Sequence, residues 1–300
     1  MNTMKGRCIT NSVFITENVR DAMQGLNYIV PAQQKADYLN VLLNVGFERI
    51  DMGYLVSPKP LPQFKDLYEV LSLIEPTEFK TRLMVQVNNP ESTLIACSQP
   101  LIKSIGYASS ISEVYLMRSL HVSQEQSLTD LLKIVEITNR HDKELVVYLT
   151  MAFGNPYNEE WSPEKVFNLI QIYQSWGIKK IVFCDTYGGT NQFTIAGLYS
   201  LLCYSFPSIE FGLHLFTSSQ NWFEKIDAAY RNGCRHFDGV IHGMGECPAT
   251  CNEKEHVGIV NTQHLLEFCG INNIKTNLVS EAFENAIVQS LLTFSDIPLE

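Results

Sequence analysis

"SWGIKKIVFCD", residues 175–185, runs from a helical end through one glycine into an apolar strand that stops on an aspartate. The same phrase returns as "NVGFERID" at 44–51 and as "RNGCRHFDG" at 231–239. In each, the glycine is the natural left-handed stop for a helix. The closing aspartates, Asp51, Asp185 and Asp238, then fall at the carboxyl ends of their strands. A phrase that repeats in this way marks one helix-to-strand unit of a larger array.

Working outward, short β-branched runs alternate with longer amphipathic ones. Strand patterns are "SVFIT", "FERIDMG", "RLMVQV", "IKSIGYA", "ISEVYLM", "LVVYLTMAF", "KKIVFCD", "IEFGLHL" and "RHFDGVI". Helical patterns cover 31–45, 61–74, 90–99, 123–140, 162–176, 192–205, 219–232 and 259–269. Strands separated by helix-length segments imply βαβ units and a parallel sheet. Eight or so units in 300 residues, without a Pro- or Ser-rich linker, predict an α/β fold, a closed (β/α)8 TIM barrel. We expect residues 1–300 to form one domain, with a long loop at 241–258 over the active face and a C-terminal helix. No strand-to-helix junction carries G-x-G-x-x-G or G-x-x-x-x-G-K-[ST], which weakens the nucleotide-binding alternatives.

The chain carries 32 acidic and 22 basic residues, a formal charge of −10, with no basic stripe. That balance argues against a nucleic-acid partner. No apolar run approaches the roughly 18 residues that span a bilayer, so no membrane association is expected. The start, "MNTMKGRCITNS", lacks the apolar stretch of a secretory signal, and a cytoplasmic location is the expectation. Eight cysteines are scattered without a C-x-x-C pair, which predicts reduced thiols.

Barrel enzymes work at the carboxyl ends of their strands. After the first strand stand Arg20 and Asp21, with Gln24 beyond: either a solvated pair, or a cation for an oxyanion beside a carboxylate for a metal. Asp51 ends the second strand. Asp185 closes "KKIVFCD", on the face of Phe183, and either caps the following turn or belongs to the site. On "IEFGLHL", His214 shares a face with Gly212 and Phe216, which suits either a core histidine or half of a His-x-His ligand pair. "GVIHGMGECPATCNEKEHVGIVNT", 239–262, is rich in glycine and carries His242, Cys247, Cys251, His256 and Asn261. Cys247 is either a plain loop cysteine or an accessible acid or nucleophile.

Taken together these stretches resemble the 3-hydroxy-3-methylglutaryl-CoA lyase family, within the metal-dependent aldolase and lyase barrels. "RDAMQG" resembles the family's Arg-Asp-x-x-Gln motif, and "FERIDMGYLVSPKPLPQ" its second-strand segment with a Ser-Pro-Lys loop. "FGNPYN", "FCDTYGG" and "GMGECP" resemble its two middle signatures and its cysteine loop. The resemblance covers nearly the whole chain and implies a retro-Claisen cleavage of an acyl-CoA, with a divalent cation, Mg2+ or Mn2+. It implies that Arg20 steadies the enolate, that Asp51 and Asp185 are catalytic acids, and that Cys247 protonates the product carbanion. It implies Asp21 and His214 as metal ligands. The family's second histidine is Phe216 here. Its asparagine ligand is Ile259 when aligned on the nearby glycine, and His256 when aligned without a gap. A homodimer is also implied. Three readings stay open: this lyase with an altered metal site, a repurposed aldolase or decarboxylase on another acyl thioester, and a non-catalytic homologue.

Overall fold

The computed structural model describes residues 11–24, 26–56, 61–75, 79–245 and 258–294. Eight parallel strands close into a barrel: β1 (Phe14–Glu17), β2 (Arg49–Leu55), β3 (Arg82–Val87), β4 (Ile102–Ser110), β5 (Glu144–Thr150), β6 (Lys180–Cys184), β7 (Glu210–His214) and β9 (His236–Gly239). β9 pairs back onto β1, with Thr16 opposite Asp238. Two short strands, β8 (Phe216–Thr217) and β10 (Gly258–Ile259), form an antiparallel ribbon just past β7. The expected (β/α)8 barrel is the observed fold.

The helices are α1 (Val19–Gln24), α2 (Ala32–Leu43), α3 (Leu67–Ser72), α4 (Pro90–Cys97), α5 (Glu113–Tyr115) and α6 (Gln124–Arg140), followed by α7 (Pro163–Ser175), α8 (Gln192–Ser205), α9 (Trp222–Arg231), α10 (Thr262–Ile271) and α11 (Ser280–Thr293). Their starts follow capping chemistry. Asn89 and Ser92 form a reciprocal capping box ahead of α4, while Ser162 and Asn191 cap α7 and α8. The glycines of the repeated phrase, Gly46, Gly177 and Gly233, all have positive φ (97°, 81° and 108°). That conformation is nearly free for glycine and strained for other residues. No helix among the described residues is long and apolar enough to cross a membrane.

One sequence expectation fails. "ISEVYLM" reads as a strand by its β-branched and aromatic content, but β4 ends at Ser110 and the chain turns into helix. Ser112 accepts a hydrogen bond from Tyr115 N (3.0 Å), and Glu159 accepts from the amides of Glu113 and Val114 (3.1 and 3.2 Å). Side chains that satisfy orphan amides start a helix here, against the propensity of the residues that follow.

The barrel has two apolar layers. Its interior holds Met84, Val146, Tyr148, Val182 and Cys184. Between strands and helices lies a second layer, where Phe183 packs on Phe211 and Tyr199. At the amino ends of the strands a charged plug fills the barrel. Arg49 donates to Glu144 (2.6 Å) and Glu48 (2.9 Å), and His236 bridges Glu48 (2.9 Å) and Glu210 (3.3 Å). Among the described residues Glu48, Glu210 and His236 are the one trio spaced to hold a metal ion. Arg49 and Lys180 already sit on their carboxylates, so the trio belongs to an ion-pair network at the face opposite the site.

Candidate active site

β1 delivers the chain into α1 at the opposite, carboxyl-end face, and α1 turns Arg20 and Asp21 inward, both buried. Arg20 Nε donates to Asp51 Oδ2 at 2.8 Å and Nη2 to Asp21 Oδ2 at 2.9 Å, while Nη1 donates to Asp21 Oδ1. Nη1 also reaches Gln24 Oε1 and Tyr54 OH, both at 3.2 Å, and the guanidinium lies 4.9 Å from the Tyr54 ring centre. Burial works against the charged guanidinium, but Asp21 and Asp51 outweigh it and hold Arg20 well above its ordinary pKa.

Asp51 is fully buried on β2. Gln86 Nε2 donates to its Oδ2 at 2.9 Å, and Oδ1 finds no donor among the described residues. Gln86 fits because β4 carries glycine opposite it: a Cβ on Gly106 would come 2.3 Å from Gln86 Oε1. Burial raises the Asp51 pKa, the Arg20 charge opposes that, and Asp21 adds to it.

His214 closes β7, directly across from Cys184 at the end of β6. Its Nδ1 lies 3.0 Å from Asp238 Oδ2 and its Nε2 lies 3.8 Å from Asp21 Oδ2. The Asp238 contact fixes the ring and leaves Nε2 toward Asp21. Burial works to lower its pKa, but the Asp238 hydrogen bond and the Asp21 charge raise it above the ordinary 6.5. Tyr148 meets the ring edge-on at 6.3 Å. Arg20, Asp21, Tyr148, Cys184 and His214 line one cavity of about 570 Å³. Its volume suits a small organic ligand.

The structure thus brings together Arg20, Asp21, Asp51 and His214 of the expected set. Asp185 does not join them. It does share the face of Phe183, but that face looks outward to the helices, so Cys184 and Thr186 line the cavity instead. Asp185 is fully buried behind the site, accepting from Thr190 N (3.2 Å) and lying 3.5 Å from Lys225 Nζ of α9. Lys225 also donates to Phe216 O at 3.0 Å. Cys247 and His256 lie outside the described residues, as does the Ser57-Pro58-Lys59 segment. Gly245 lies beside Asp21: a Cβ on it would come 2.9 Å from Ile259 Cδ1 and 3.6 Å from Asp21 Cβ. Asp238, Tyr148, Gln86 and Cys184 also stand at this site, outside the residues expected from the sequence. Asp238 was visible there as the last aspartate of the repeated phrase. The other three are residues whose inward direction only the closed barrel defines.

The implied divalent cation can be tested against the donors present. Phe216 and Ile259 face each other in register across the β8–β10 ribbon, both buried, in an apolar patch with Ala22 and Val240. Asp21 spends both oxygens on Arg20. His214 Nε2 is the one remaining donor of the implied set among the described residues. Divalent Mg2+ or Mn2+ takes about six ligands, chiefly oxygens. The described residues do not fit such an ion.

Comparison with known proteins identifies the family. The HMGL-like family model matches residues 12–284. A hydroxymethylglutaryl-CoA lyase of Bacillus subtilis is 24% identical over 267 residues, covering 89% of this chain and 88% of its own length. An (R)-citramalyl-CoA lyase of Chloroflexus aurantiacus is 22% identical, covering 84% and 82%. A crystal structure of a Bacillus subtilis HMG-CoA lyase superposes with a TM-score of 0.87 at 24% identity, over 95% of this chain and 94% of its own. An HMG-CoA lyase from Acinetobacter baumannii, in complex with coenzyme A and 3-methylmalate, gives 0.84 at 24%, over 96% and 93%. With nine-tenths of its length matched, this chain belongs to the HMGL-like family of lyases.

Proposed function

We propose that the chain is a carbon–carbon lyase that splits a 3-hydroxyacyl thioester between its second and third carbons. The hydroxyl proton leaves to a base and the oxygen's electron pair becomes a carbonyl. The electrons of the broken bond move onto the thioester as an enolate, and a proton delivered to the second carbon completes an acetyl thioester. On 3-hydroxy-3-methylglutaryl-CoA the products are acetyl-CoA and acetoacetate.

One observation supports this reading most: a guanidinium and an imidazole face one cavity, each braced by a carboxylate, Asp51 behind Arg20 and Asp238 behind His214. A fixed guanidinium stabilises charge that develops on the thioester oxygen, because it needs no reorganisation when the bond breaks. His214, oriented through Nδ1, is the base for the hydroxyl proton. Cys247 keeps its proposed role as the acid that protonates the second carbon, and Asp51 is the positioning residue for Arg20. The names of the relatives, lyases of hydroxymethylglutaryl-CoA and citramalyl-CoA, favour a coenzyme A thioester as the substrate class.

A second reading of the acyl group rests on Phe216, which lines the cavity and packs with Ile259 to make that wall apolar. An acyl chain without a carboxylate at that end suits the wall better. The test is incubation of the purified protein with 3-hydroxy-3-methylglutaryl-CoA, citramalyl-CoA and a panel of neutral 3-hydroxyacyl-CoAs, with mass-spectrometric detection of acetyl-CoA and the carbonyl product. Acetoacetate release supports the first reading and cleavage of a neutral chain alone supports the second. If no member of the panel is split, the lyase proposal is wrong. A homodimer, the partner the family implies, is open to sedimentation analysis of the same sample.

A further inference from the structure

Beside Asp21 and His214, where Phe216 lines the cavity, the wall is carbon. Phe216 and Ile259 stand there in register, packed with Ala22 and Val240 into one small apolar cluster. We infer that, among the described residues, this site has exchanged its divalent cation for a sealed apolar wall, and that the Arg20 guanidinium supplies a fixed positive charge to the cavity. The inference concerns the ion and not the reaction, so it is tested without substrate.

Three features support it. The two altered positions are neighbours that pack against each other, Ile259 opposite Phe216. Losing a single ligand would leave a polar gap in the wall; exchanging both for touching hydrophobes leaves, among the described residues, an apolar surface with no side-chain lone pair to satisfy. Second, an ion would have to take an Asp21 oxygen away from Arg20, which holds both. That would leave part of a buried guanidinium unpaired beside a divalent charge. Third, Mg2+ demands near-ideal octahedral geometry and retains several waters. Here those waters would lie against Phe216 and Ile259, whose side chains offer no hydrogen-bond partner, and an ordered water needs two to four.

The experiment is a Mn2+ titration of the full chain, followed by the electron paramagnetic resonance of free Mn2+ and repeated on the Phe216→His/Ile259→Asn double variant. The native chain is expected to leave Mn2+ free through the micromolar range. The double variant, given four donors, is expected to bind about one ion per chain at least 100-fold more tightly, since even indirect partners of a ligand shift affinity by about 10- to 100-fold. A native chain that takes up one Mn2+ at micromolar concentration, with the uptake abolished by His214→Ala, overturns the inference. So does a double variant that melts cooperatively near the native temperature yet binds no better. Should the double variant fail to fold, the native titration with its His214→Ala control decides alone.

Discussion

Arg20 reaches back to Asp51 through Nε and sideways to Asp21 through both terminal nitrogens, a planar fork that lysine cannot reproduce. Arg20→Lys is therefore expected to lower kcat by roughly 10²- to 10³-fold, the usual loss for one oxyanion partner, with a much smaller change in KM. Steady-state kinetics on the substrate identified above check this. A second residue-scale prediction concerns Glu17, buried at the end of β1, where it accepts from Ile241 N and Thr262 Oγ1, both at 2.7 Å. Burial pushes its pKa up to about 8 from 4.5, against the lowering by those two hydrogen bonds. The folded chain thus binds a proton that the unfolded chain has released. Its stability contribution is complete below pH 4.5 and is lost as pH rises toward 8, by up to about 1.4 kcal/mol per pH unit. Glu17→Gln removes that slope, so thermal melts from pH 5 to 9 should show the variant gaining on the native chain as pH rises. Residues such as Arg20, Asp21, Asp51 and His214 were legible in the sequence because each is polar at the end of an apolar run. Asp185 was placed correctly beside Phe183, but both faces of a parallel strand are apolar, and period-two alternation does not say which one faces the barrel axis.

At the scale of elements, glycine and cap signals were readable where hydrophobic pattern was not. The three phrase glycines all adopt positive φ, whereas "ISEVYLM" carries a strand's composition and became helix once Ser112 and Glu159 satisfied its first amides. The β8–β10 ribbon was invisible in the sequence because it joins segments about forty residues apart through two strands of two residues each. Behind the ribbon, Lys225 of α9 ties Asp185 and the Phe216 carbonyl together from a buried position. Removing the cation alone strands a buried carboxylate. Lys225→Met is expected to cost roughly 3–5 kcal/mol in urea unfolding, and adding Asp185→Asn should recover part of it. A cost below 1 kcal/mol would mean that this pair does not hold the ribbon.

Over the whole molecule, the barrel separates two charged layers. At the amino ends of the strands, Arg49, Glu48, Glu144, Glu210, Lys180 and His236 pair with one another. At the carboxyl ends, Arg20 and His214 are braced by carboxylates on one side and face about 570 Å³ of open space on the other. Closure of the sheet converts the end of each strand into a position on one ring, which is why the sequence rhythm predicted the fold. The proposed stabilisation of a thioester enolate at Arg20 is testable without knowing the acyl chain. Incubation of the protein with acetyl-CoA in D2O, followed by mass spectrometry of the acetyl group, reads enolate formation directly. Deuterium is expected in the methyl group with the native chain, and at least a 100-fold slower exchange with Arg20→Ala; a native chain that leaves the methyl protons in place, or an Arg20→Ala variant that exchanges them as fast, rules out enolate stabilisation at Arg20.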